Sequence, residues 1–133
     1  MKKRSLVGCG RFCYSTGGSP PIYQERRNVM AQTALFVVKA NITPEREEEF
    51  NRWYHEIHIP DVLKYPGCLS ARRYRALSGE EKFSYMAVYE FVDQKTLEEF
   101  LKSDHLKHLA KDYDAHFGQW SERARMTYLQ VYP

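Results

Sequence analysis

RWYHEIHIPD, residues 52–61, sets a tryptophan, a tyrosine, two histidines and two carboxylates within ten positions that include Pro60. Imidazole exchanges protons near neutral pH, so His55 and His58 are the first groups to weigh for acid–base chemistry. Phe50, Trp53, Tyr54 and Ile57 stand at i, i+3, i+4 and i+7, the buried face of a helix. His58 falls on that face, whereas His55 falls outside it and is expected to face water. The bland alternative for His58 is a core histidine bonded to a backbone carbonyl that Pro60 releases. Glu56 and Asp61 are placed to orient an imidazole, although carboxylates on a helix surface ordinarily face solvent. The two histidines are three apart and no third ligand accompanies them, so no metal is expected.

Further along, CLSARRYRAL (68–77) reads as a strand. Alternation sends Arg73 and Arg75 to one face and Arg72 and Tyr74 to the other. An arginine aimed into a cleft holds a carboxylate or enolate through two hydrogen bonds; the alternative is solvent at a rim. In KFSYMAVYEFV (82–92), Phe83, Tyr85, Tyr89 and Phe91 share a face. Such aromatics stack bases in one RNA-binding module, but the glycine and basic residues that module needs are missing, so no nucleic acid is expected. Nucleophile-elbow, phosphate-loop and dinucleotide glycine motifs are absent as well. Cys68 has no evident base beside it. The chemistry expected is acid–base, with no cofactor.

Positioning these groups takes an ordered series of elements. TALFVVKANI (33–42) has strand composition, and Thr43-Pro44 reads as a helix N-cap followed by proline. Pro60 should disturb the helix near Ile59, and Pro66-Gly67 ends the segment. Residues 78–81, Ser-Gly-Glu-Glu, form a hairpin turn between the strands at 68–77 and 82–92. Asp93 caps a second helix that buries Leu97, Phe100 and Leu101. Ser103-Asp104 recaps it through Leu109, Tyr113 and Phe117; Gly118 stops it, and 124–133 is a fourth strand. The order β-α-β-β-α-β predicts an α+β, ferredoxin-like antiparallel sheet with both helices on one face. Apolar residues on both faces of 33–38 and 85–92 leave the other sheet face needing cover, which a second copy supplies sheet to sheet.

The 133 residues suit one domain, at 32–133, preceded by an extension at 1–31 that is disordered or upstream of the true start. Residues 1–29 carry six Lys/Arg against Glu25 alone, so the formal charge of +3 resides in that segment. The remainder, slightly acidic, is unlike a phosphate-backbone binder. Cys9, Cys13 and Cys68 form no zinc spacing and no even set, which suits reduced thiols and a cytoplasmic protein. No membrane span or secretory leader is visible.

FNRWYHEIHIPDVLKYPGCLSARRY (50–74), together with YMAVYEFVD and LEEFLKSDH in 85–105, resembles the EthD-like branch of the dimeric α/β-barrel superfamily. The matching positions are Trp53, His58, Pro60 and Gly67. The resemblance implies a dimeric α/β barrel, a homodimer through the sheet with a cleft between sheet and helices in each subunit. It raises His58 as a cleft residue. His58 and Tyr89 are then the candidate catalytic groups, with Trp53, Tyr54, Arg73, Arg75 and Tyr85 binding substrate. The expected function is a small-molecule enzyme or binding protein acting by cofactor-free acid–base chemistry: a cyclase, isomerase, lyase or internal monooxygenase. Its ligand would be an oxygenated hydrophobic compound of catabolism or secondary metabolism. The alternative is a non-catalytic carrier or accessory protein of a degradation pathway.

Overall fold

The computed structural model describes residues 32–133, and Gln32–Val131 form one compact unit. The expected extension, with Cys9 and Cys13, lies outside the described residues. Four strands, β1 (Ala34–Ile42), β2 (Cys68–Arg75), β3 (Tyr85–Phe91) and β4 (Ser121–Leu129), form one antiparallel sheet in the order β2-β3-β1-β4. Helix α1 spans residues 44–63, α2 is Gln94–Leu101 and α3 is Asp104–Phe117. This is the ferredoxin-like α+β arrangement that the element order predicts.

Alternation along β1 turns Ala34, Phe36, Val38 and Ala40 toward the helices, and these join Phe50, Tyr89, Phe91, Phe100 and Phe117 in one core. Burying each phenyl ring stabilises by about 2–3 kcal/mol. The caps read from sequence are formed at α2 and α3: Asp93 accepts from Thr96 N–H at 2.8 Å, and Ser103 Oγ accepts from Leu106 N–H at 3.1 Å. Thr43 does not cap α1. Its hydroxyl and backbone N–H both donate to the Trp120 carbonyl, tying the start of α1 to β4. Gly67, between α1 and β2, has φ +96°, and a Cβ there would come within 2.5 Å of the Thr96 methyl. Glycine is required by both the turn and the packing of α2.

Several boundaries differ from those expected. The β2–β3 ladder stops at Arg75–Tyr85, so the connection is a broad loop rather than a turn at 78–81. One more backbone bond follows, from Ala76 N–H to Ser84 O at 2.8 Å. Side chains then take over: Asn41 Oδ1 accepts from Ser84 N–H at 2.8 Å, and Glu81 from Phe83 N–H at 3.2 Å. β4 begins at Ser121, three residues before 124, because β1 is long enough to pair Ile42 with it. Leu101, expected in the core, ends α2 on its outer side and is 37% exposed. Pro60 does not break α1. The helix passes through it by a wide i→i+5 turn at Tyr54–His58. Among the described residues no helix is long and apolar enough to cross a membrane.

Candidate functional site

The wide turn decides where the histidines point. A regular helix would drive the Pro60 ring against the carbonyl four residues earlier. Instead Ile59 N–H reaches back to the Tyr54 carbonyl, and each residue in that stretch advances the helix by less than the usual rotation. The buried face therefore runs through Phe50, Trp53, Tyr54, His58 and Val62, while Ile57, expected inside, is 46% exposed. His58 stacks on the Trp53 indole, with centroids 4.7 Å apart, and meets the Tyr54 ring edge-on at 4.9 Å. Its Nδ1 is buried with no hydrogen-bond partner, so no released carbonyl holds it. The Asp61 carbonyl, on the same helix, bonds His105 instead, at 2.8 Å. Burial, then the charge of Arg123, lowers the His58 pKa from 6.5 to about 4, with Asp61 opposing and Arg73 adding to the fall. The imidazole is neutral at pH 7.

His58 lines a cavity of about 30 Å³ between sheet and helices, walled by Phe36, Val38, Val62 and Phe100. That volume holds a water-sized group. Its polar lining is Tyr54, His58, Tyr89, Tyr113, Arg123 and Arg125. The Tyr89 hydroxyl is fully buried beside the Tyr54 hydroxyl and, like His58 Nδ1, makes no well-formed hydrogen bond. Burial raises the pKa of Tyr54, Tyr89 and Tyr113, so all three keep their protons and remain donors. Tyr113 bonds Ser121 Oγ at 2.5 Å and carries the Arg123 guanidinium 4.0 Å above its ring.

Residues read from sequence as one site stand in two places. Tyr54, His58 and Tyr89 line the cavity, whereas Trp53 lies behind His58 and does not line it. Arg73, Arg75 and Tyr85 line a surface depression of about 300 Å³ with Asn51, His55 and Tyr74. There Arg73 donates to Asn51 Oδ1 at 2.7 Å and lies 3.2 Å from His55 Nε2, while Tyr85 donates to Glu47. The Arg73 guanidinium also covers the Tyr54 ring at 4.2 Å, so Arg73 and Tyr54 together separate depression from cavity. Arg123, Arg125 and Tyr113 were missed as site residues. The signal was present in SERARMTYL, where alternation puts both arginines on one face once the strand starts at Ser121.

Cys68 is half-buried and its thiol pKa is raised by burial, which disfavours the nucleophilic thiolate. Among the described residues no group of three His, Cys, Asp or Glu side chains is placed to hold a metal ion.

Fold and cavity together define a ferredoxin-like α+β protein with a polar-tipped space enclosed between its sheet and helices. Residues 33–129 match the family described as a domain of unknown function (DUF4286), and the chain belongs to that family. Among solved structures it is similar to an ethyl tert-butyl ether D (EthD) family protein of Bacillus halodurans, at 23% identity and TM-score 0.58, covering 75% of this chain and 99% of that one. A DABB family protein of Mesorhizobium loti with a ferredoxin-like fold is similar at 12% identity and TM-score 0.57, covering 76% and 99%. So is SnoaB of Streptomyces nogalater, a cofactor-independent oxygenase, at 16% identity and TM-score 0.52, covering 77% and 97%. These likenesses are of fold, and they agree with the EthD-like dimeric α/β-barrel resemblance read from the sequence. No curated protein matches the chain.

Proposed function

We propose that this chain is a homodimeric small-molecule enzyme whose cavity acts on an oxygenated, hydrophobic compound by cofactor-free acid–base chemistry. The observation that carries the reading is the pair of buried, unpartnered polar atoms, His58 Nδ1 and Tyr89 Oη, on residues lining one cavity. Buried polar groups are ordinarily satisfied, and a ligand oxygen supplies what these two lack. Neutral His58 is the base that takes a proton from a C–H or O–H group. Tyr89 and Tyr54, held protonated, donate to the oxyanion that forms. Isomerases, cyclases and lyases use such an enolate, and cofactor-free oxygenation starts from the same deprotonation. SnoaB, of similar fold, is a cofactor-independent oxygenase.

A carrier is the second reading. It is favoured by the absence, among the described residues, of any protein group hydrogen-bonded to His58. Binding tests the common ground. In a thermal-shift screen with phenols, lactones and polyketide-like acids, a true ligand at 100 times its Kd should stabilise by about 2.7 kcal/mol. That corresponds to a rise in Tm on the order of 10 °C. No shift with any member, and none in the His58 ring resonances, would remove the cavity as a small-molecule site.

The dimer is supported by the sheet face turned away from the helices. Val37 pairs with Val88 on one side and Met126 on the other, and Leu35 and Met86 extend this apolar row. Sedimentation is expected to give a dimer at micromolar concentration, and Val88→Asp a folded monomer. A wild-type monomer would refute it.

A further inference from the structure

The side chains lining the cavity that are not buried are Leu106, Ala110, Arg123 and Arg125, so its mouth opens between α3 and β4. Two guanidiniums flank that mouth, and no Asp or Glu lines the cavity among the described residues. Arg123 shares its charge with Asp114 (Nη2–Oδ1 3.2 Å), whose side chain is 63% exposed. Arg125 has no carboxylate within ion-pair distance among the described residues. Arg125, exposed at the rim and without an acid, is free to take up an anion there. The buried part of the lining holds the Tyr89 hydroxyl and His58 Nδ1, neither of them in a well-formed hydrogen bond.

We infer that the ligand is a small oxo- or hydroxy-carboxylate, its carboxylate held by Arg123 and Arg125 at the mouth and its second oxygen beside Tyr89 and His58. The inference rests on the cavity being the small-molecule site proposed above, and adds the ligand's charge and orientation. Guanidinium matches a carboxylate with two parallel hydrogen bonds, which fixes direction as well as charge. Size agrees with that direction: about 30 Å³ admits the oxygen-bearing end of such a molecule and leaves its carboxylate at the rim. An anion at this place also offsets the positive field that Arg123 and Arg73 exert on His58.

The test uses the full chain with 2-, 3- and 4-oxo acids of four to six carbons, each paired with its primary amide. Affinity is measured by calorimetry and occupancy by the His58 ring resonances. At least one acid should bind about tenfold or more tighter than its amide and shift His58. Arg125→Gln should abolish that preference, Arg125→Lys should keep part of it, and Lys95→Gln, on the exposed side of α2, should leave it intact. Because Arg125 is exposed, these variants are expected to fold. Amides binding as well as acids would overturn the inference and leave the small-molecule site standing. Acids binding with an affinity indifferent to Arg125→Gln would place them elsewhere, as in the Arg73 and Arg75 depression, and overturn it too. If neither class binds or moves His58 at millimolar concentration, the inference falls, and the phenol and lactone screen decides the site reading separately.

Discussion

Turnover by His58→Gln is expected to fall by roughly 10²–10⁴-fold on any compound the cavity converts, with ligand affinity changing far less. Glutamine keeps a polar end of similar reach and can still hydrogen-bond a ligand oxygen, but it cannot accept a proton. The loss should therefore appear in kcat rather than KM. Tyr89→Phe removes one donor to the developing oxyanion and should cost about 10²–10³-fold, also in kcat. His55→Gln should change turnover little, because His55 is exposed and lies in the depression against Arg73. The opposite pattern identifies an ordinary core histidine: full activity in His58→Gln with a markedly lower Tm. Proton transfer would then belong to a tyrosine.

The order of elements was legible because periodicity and caps agree in this chain. Strand alternation, Asp93, Ser103 and Pro66-Gly67 all point to the same fold, and the structure uses each of them. The site was legible only in part. Helical periodicity at about 100° per residue picks out both Ile57 and His58, and only the wide turn forced by Pro60 turns the first outward and the second inward. Such a turn leaves no mark in hydrophobic pattern. Alternation tells which face of the sheet an arginine occupies but not its place across that face. With β2 and β4 at opposite edges, Arg73 and Arg75 lie far round from a mouth that opens beside β4. Arg123 and Arg125 take that place, and the missed start of β4 left Arg123 outside the strand and the pair unrecognised.

Acid should destabilise this protein through His58 in a defined window. Its imidazole is 9% exposed, with its pKa lowered to about 4 by burial first and Arg123 next. In the unfolded chain the same group titrates near 6.5. Between these values the unfolded state binds a proton that the folded state refuses, so stability falls as pH drops from about 6.5 toward 4. Below about 4 both states are protonated and this contribution flattens. A difference of that size is worth about 3 kcal/mol across the window. Denaturant unfolding of the full chain at pH 7, 6, 5 and 4.5 should show the slope, and His58→Gln should flatten it by about that amount. The variant is thus expected to gain relative stability in acid while losing turnover at neutral pH. Those opposite signs are what a purely structural histidine, bonded in the core, would not produce. Parallel pH profiles for wild type and variant would show that His58 is already charged or already solvated in the folded state. The neutral-base role would fall with that result.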